Sequence, residues 1–168
     1  KLNLTEVLIS MTDALSERGP DSNGFYENKK KGYFLGHRRL SIIELSEKGK
    51  QPMVSPSKRY VITFNGEIYN HNIIRSKLNT DWISGSDTET ILSCFDEYGV
   101  EKSLEFFSGM FAIGVIDLKK EKLYLARDYC GEKPLYYCNF NGTFMFSSQI
   151  KSLIKHPLFI KKINLNSL

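Results

Sequence analysis

The stretch Phe111–Ser147, FAIGVIDLKKEKLYLARDYCGEKPLYYCNFNGTFMFS, decides the fold. Phe111–Ile116 is apolar and β-prone, Asp117–Glu121 is a charged turn, and Lys122–Arg127 returns. Leu135–Cys138 and Thr143–Ser147 then flank Asn141-Gly142, a hairpin signal because a type I′ turn needs φ > 0 at both central residues. Strand-like runs that follow one another with no helix between them predict an antiparallel meander. Upstream, Ser86 and Glu89 form the S-x-x-E capping box that starts a helix. Asp87 sits in its first turn, where a carboxylate favours the positive end of the helix dipole. Ile91, Leu92, Phe95 and Tyr98 supply the apolar face, and Gly99 is a good stop.

Further upstream, Tyr33–Arg38 and Tyr60–Phe64 read as strands, separated by a polar loop, Ser46–Lys58, that contains Pro52 and Pro56. A short helix or turn is expected over Asn70–Leu78. The first segment is helical: Val7, Met11 and Leu15 fall at i, i+4 and i+8, with Leu8 and Ala14 beside that stripe. Arg18-Gly19-Pro20-Asp21 ends it, because proline cannot continue a helix. A last helix over about Ser148–Lys155 stops before Pro157. Strands and helices do not alternate regularly, so a doubly wound parallel sheet is not expected. The pattern predicts an α+β sandwich of antiparallel sheets with helices packed outside.

Composition narrows the function classes. The chain has 168 residues, is 41% hydrophobic and 25% charged, and carries a net charge of +4. That size suits one domain with a short tail. No apolar run is long enough to cross a bilayer, and Lys1–Met11 is too polar for a signal peptide, so a cytoplasmic protein with no membrane partner is expected. The run Lys29-Lys30-Lys31 reads as a solvated turn. Basic residues interleaved with stacking aromatics are lacking, so no nucleic-acid partner is expected. Three cysteines (Cys94, Cys130 and Cys138) at irregular spacing fit neither a disulfide framework nor a zinc site, and no metal is expected.

Arg39, Asn65, Gly66, Glu67 and Asp87 stand at the ends of the expected elements, where a scaffold presents side chains to ligands. Their chemistry complements an α-amino acid with a terminal amide. Arg39 could hold the carboxylate in a bidentate fork. Asp87 or Glu67 could hold the ammonium. The Asn65 side chain and the Gly66 N–H could both address one oxygen, as an oxyanion hole does. Taken singly, each has a plainer reading: a surface arginine, a hairpin turn at Asn65-Gly66, a helix-terminal charge at Asp87.

Together the local words are more specific. RGPD (Arg18–Asp21), GHRRLSII (Gly36–Ile43), NGEIYNH (Asn65–His71), GSDTE (Gly85–Glu89), SGMFA (Ser108–Ala112) and ARDYCGEKPLYY (Ala126–Tyr137) occur in this order. They resemble the glutaminase domain of glutamine-hydrolysing asparagine synthetases, over about Leu4 to Pro157. The resemblance implies the four-layer αββα sandwich of N-terminal-nucleophile hydrolases over residues 1–158, with 159–168 beginning a linker. By similarity, Arg39 binds the glutamine carboxylate, Ile43 offers backbone contacts, Glu67 and Asp87 hold the amino group, and Asn65 and Gly66 form the oxyanion hole.

The family's nucleophile is a cysteine at the first residue of the mature protein, whose own α-amine serves as base. This sequence begins at Lys1, close to the first helix, so that cysteine is expected upstream; a truncated or inactive version is the alternative. None of Cys94, Cys130 or Cys138 has a free α-amine. Glu17 and Tyr129-Cys130 depart from the family's usual residues. In the family a following synthetase domain binds ATP and magnesium and amidates aspartate, so this chain itself is expected to need no cofactor. The resemblance leaves room for a homodimer. Two other readings stay open: a glutamine-binding regulatory module without catalysis, and a glutaminase serving a sugar or peptide acceptor.

Overall fold

A computed structural model describes residues 2–40, 44 and 46–162. Helix α1 (Leu4–Asp13) leads into strands β1 (Ser22–Asn28) and β2 (Tyr33–Arg39). Strand β3 (Met53–Val54) and the long β4 (Tyr60–Ile68) precede helices α2 (His71–Arg75), α3 (Asp87–Tyr98) and α4 (Val100–Leu104). Strands β5 (Gly109–Asp117), β6 (Lys122–Arg127), β7 (Tyr136–Phe140) and β8 (Thr143–Ser147) follow, and helix α5 (Ile150–Leu153) comes last. A four-stranded antiparallel sheet runs β3-β4-β5-β6, and two hairpins, β1-β2 and β7-β8, form separate two-stranded sheets.

Residues of alternate parity along a strand point to opposite faces, and β4 and β5 show this plainly. Tyr60, Ile62 and Phe64, with Phe111, Ile113 and Val115, pack against Ile91, Leu92 and Phe95 of α3. On the other face Val61 and Ile116 meet Leu35 of β2, with Phe146 of β8 beside them. The hairpins therefore lie over the four-stranded sheet. α1 packs on β2, α5 on α1 and β8, and α3 on β4. This is an α+β sandwich of two β layers between helices.

Several expectations shift. Tyr60–Phe64 is the first half of a longer strand: Asn65, Gly66 and Glu67 lie inside β4, paired with Ala112, Phe111 and Met110, and are not at an element end. Strand β1 was not foreseen, because its sequence SNGFYEN has little β-propensity; it forms by pairing along the whole of β2. The meander divides. β5 and β6 extend the β4 sheet, while the loop across Asp128–Pro134 carries β7 and β8 to a separate sheet. Only half of the capping box closes. Ser86 Oγ accepts from the Thr88 N–H, but the Glu89 carboxylate accepts from the N–H groups of Ile83 and Ser84 and pairs with Arg75. The lysine run is the β1–β2 turn, as expected. Val7, Met11 and Leu15 are half-buried and line an internal cavity, while Leu8 and Thr12 are the buried pair of α1. Of the linker expected at 159–168, Phe159 stacks edge-on against Phe140, and 163–168 lie outside the described residues. Among the described residues no helix is long and apolar enough to cross a membrane.

The turn after β5 hangs on one carboxylate. Asp117, 1% exposed, accepts from Arg59 Nε and Nη2 and from the N–H groups of Lys119 and Lys120. Replacing it with asparagine keeps the shape but loses the charge-assisted bonds. Asp117→Asn should cost about 1–3 kcal/mol, and thermal unfolding should move down by about 3–10 °C. An unchanged midpoint in a calorimetric scan would show that this pair does not anchor the hairpin.

Candidate functional site

A cavity of about 780 Å³ opens between the two β layers. α1 covers it, β2 and β8 flank it, and the inner faces of β4 and β5 form its floor. All five positions singled out in the sequence, Arg39, Asn65, Gly66, Glu67 and Asp87, line it. Ile43 lies outside the described residues.

Asn65 shares the inner face of β4 with Val61 and Thr63 because residues two apart point the same way. Its Nδ2 is buried and has no hydrogen-bond partner among the described residues. An orphan amide donor of this kind costs free energy unless a ligand answers it. Gly66 follows with φ +154, and a Cβ there would strike the Met110 carbonyl oxygen and come within 2.7 Å of Phe111 Cα. Only glycine lets the backbone lie this close to β5 while keeping Asn65 aimed inward.

Arg39, at the end of β2, is buried and holds the following loop: Nη1 donates to the Ser46 carbonyl at 2.8 Å and Nη2 to the Glu44 carbonyl. Among the described residues, these bonds engage two of the five N–H donors of the guanidinium. Gly49 makes room for the group, since a Cβ there would collide with Arg39 Nη2. Glu44 joins the same loop to the start of α3, accepting from the Gly85 N–H at 3.0 Å and from the Ser46 hydroxyl at 2.6 Å. The Ser46 hydroxyl bond, then the backbone bonds, hold its carboxyl down at about 2.

Asp87 opens α3 and is buried. Its Oδ2 accepts from the Ile68 N–H at 3.0 Å, which fixes the helix start to the end of β4. Burial raises its pKa above 3.8, more than the Ile68 hydrogen bond lowers it. A buried carboxylate whose charge is disfavoured gains from an incoming cation. Glu67 stands two residues beyond Asn65 on the same face of β4. His37 on β2 is pushed down to about 4, first by burial and then by the Arg39 charge, so it stays neutral at ordinary pH. The wall is thus cationic at Arg39, anionic at Asp87 and Glu67, and donor-rich at Asn65-Gly66. That arrangement complements a zwitterion carrying an amide.

The cysteines stand apart from this. Cys94 is fully buried in α3, and burial pushes its thiol up to about 12; it is a core residue. Cys130 is exposed and Cys138 half-buried, neither lining the cavity. The loop that contains Cys130 is ordered by Asp128, which accepts from the N–H groups of Phe111, Glu132 and Lys133. Sequence reasoning passed over Glu44, Gly49 and Gln51, all of which line the cavity. Each sits in or beside a polar stretch with no periodicity.

The chain is similar to two asparagine synthetases (glutamine-hydrolysing) of Bacillus subtilis: number 1 at 40% identity over 89% of this chain, number 2 at 36% over 94%. It is 37% identical to that of Zea mays over 87% of its length. The chain spans between 21% and 35% of the length of such relatives. Among solved structures, glutamine phosphoribosylpyrophosphate amidotransferase of B. subtilis, complexed with ADP and GMP, superposes with a TM-score of 0.75 at 15% identity, over 89% of this chain and 40% of that one. That likeness shows the fold alone, the α+β sandwich of two β layers between helices. A family model described as a glutamine amidotransferase domain matches residues 1–168, and the chain belongs to that family.

Proposed function

We propose that the cavity binds glutamine and is the glutaminase site of an ammonia-supplying enzyme. The observation that carries this is the orphaned Nδ2 of Asn65, buried beside the Gly66 backbone in a cavity that also holds a buried Asp87 carboxylate. The glutamine carboxylate lies on the Arg39 guanidinium, its ammonium on Asp87 and Glu67, and its side-chain carbonyl oxygen toward Asn65 Nδ2 and the Gly66 N–H.

The nucleophile is a cysteine thiol at a chain N-terminus, as the family resemblance implies. β2 pairs with β1 on one edge and β8 with β7 on one edge, and both border the cavity. In this reading an extended segment leading to α1 would pair along their other edges. Seven residues matching β2 would span about 23 Å. The thiol, deprotonated by its own α-amine, attacks the amide carbon. The oxyanion that forms is held by Asn65 and Gly66, the C–N bond breaks as the proton passes to the leaving nitrogen, and ammonia departs. Water then cleaves the γ-glutamyl thioester to glutamate and regenerates the thiol. Ammonia goes to an ATP- and Mg2+-dependent amidation in a following domain, with aspartate as acceptor. A sugar or peptide acceptor would use the same glutaminase chemistry.

The test is glutamine hydrolysis by the chain carrying a cysteine-led N-terminal strand. Turnover should appear with the cysteine and vanish with serine in its place. Asn65→Ala should lower kcat by about 100-fold, the ~3 kcal/mol typical of one lost oxyanion donor, with KM changed far less. Undiminished kcat would remove Asn65 from the mechanism.

Asp87 supplies a second prediction. Binding the ammonium needs the carboxylate form, so affinity for glutamine is full well above the Asp87 pKa and falls as pH drops through it. Because that pKa is raised above 3.8 in the free protein, the fall begins at higher pH than for an ordinary aspartate. Asp87→Asn should keep the bond from Ile68 and fold at least as stably, since a buried charge is removed. Its glutamine affinity, measured calorimetrically, should fall at least tenfold, a loss of about 1.4 kcal/mol or more. Equal affinity in the variant would exclude Asp87 as the ammonium ligand.

A further inference from the structure

We propose that Gln51 is the positioning residue that sets the distance between the oxyanion donors and the ammonium-binding carboxylate. This rests on the reading of the cavity as a glutamine site. The two-residue strand β3 pairs Met53 with Ile62 and Val54 with Val61. The same register carried two residues back sets Gln51 opposite Phe64. There the main chain has left the sheet, and the side-chain amide takes its place: Oε1 accepts from the Phe64 N–H at 2.6 Å. The other end of that amide reaches α3, where Nε2 donates to Thr88 Oγ1 at 3.3 Å.

Phe64 immediately precedes Asn65-Gly66, and Thr88 immediately follows Asp87. One buried amide, 8% exposed, therefore joins the strand residue before the oxyanion pair to the helix residue after the carboxylate. β5 holds the opposite edge of Asn65 and Gly66, and the Asp87 bond to Ile68 joins strand and helix only beyond them. Gln51 is the tie on the N-terminal side of the pair. A bound glutamine spans its own ammonium and amide at a fixed length, and misplacement by about 1 Å is costly in such sites. Only an amide has both the acceptor for Phe64 and the donor for Thr88. Methionine fills the space without either, and glutamate keeps the acceptor alone.

The experiment uses 15N-labelled chain, wild type and Gln51→Met, in two measurements. The first is amide hydrogen exchange at Phe64 against Ile113 and Val115. The second is affinity for glutamine against norvaline, which keeps the ammonium and carboxylate but has no amide. Gln51→Met should speed exchange at Phe64 at least tenfold while Ile113 and Val115 hold. It should weaken glutamine about tenfold, the order of one lost buried hydrogen bond, and leave norvaline within about twofold. Glutamine and norvaline weakened equally, or an unchanged ratio, would overturn the proposal. If wild type binds neither ligand, the glutamine reading fails by itself, and unchanged exchange at Phe64 still overturns the role of Gln51. Should Gln51→Met not fold, Gln51→Glu carries the affinity comparison, with Phe64 protected and the glutamine preference reduced; an intact preference overturns the proposal.

Discussion

The register between β4 and β5 is the constraint on which the rest depends. Nine consecutive residues pair antiparallel, from Tyr60 with Asp117 to Ile68 with Gly109. A slip of one residue would turn every side chain to the opposite face. Tyr60, Ile62 and Phe64 would then leave α3, and Asn65 would leave the cavity. Register is strongly specified here because both faces are buried and chemically different: one is the apolar floor under α3, the other the inter-layer face shared by Val61 and Ile116. Site geometry is thus inherited from core packing.

The second constraint is the close approach of neighbouring backbones. Gly114 on the inner face of β5 lies under the ring of Phe146 from β8, which a Cβ would displace. Gly36 leaves no room for a Cβ against Thr12 and so brings β2 close beneath α1. The first contact draws the β7-β8 hairpin down onto the four-stranded sheet, and the second seats α1 on β2. The cavity persists because its wall is a mixture: Leu8 and Met11 from α1 and Leu15 just beyond it offer apolar surface, while Arg39, Asn65 and Asp87 need polar partners and cannot collapse onto that surface without leaving charge unanswered.

Much of this was legible in the residues. The apolar, β-prone run Phe111–Ile116 and the Asn141-Gly142 turn gave the right antiparallel class, and S-x-x-E located α3 to the residue. The cavity-lining set Arg39, Asn65, Gly66, Glu67 and Asp87 also emerged; its ground, a position at element ends, holds for Arg39 and Asp87 and fails for Asn65, Gly66 and Glu67, which lie within β4. What stayed hidden shares one cause. β1, the separation of the two hairpins, and the ties made by Glu44 and Gln51 are all settled by contacts distant in sequence. Glu89 shows the effect in miniature. Local pattern assigns it to the Ser86 cap, but the backbone donors at Ile83 and Ser84 and the Arg75 guanidinium outcompete that bond.

The centre of β4 explains why local pattern failed where function concentrates. Asn-Gly-Glu is a poor strand sequence: asparagine and glycine are depleted in strands, and glycine in a strand interior costs about 0.5–1 kcal/mol relative to alanine. The preceding five residues, Tyr60–Phe64, compensate. Four of them are essentially fully buried, and together with β5 they fix the ladder before Asn65 is reached. An apolar half-strand thus anchors a polar half-strand that would not hold its conformation alone. Residues chosen for what they present to a ligand break local rules, and the structure tolerates them where neighbouring burial is large enough to impose the conformation.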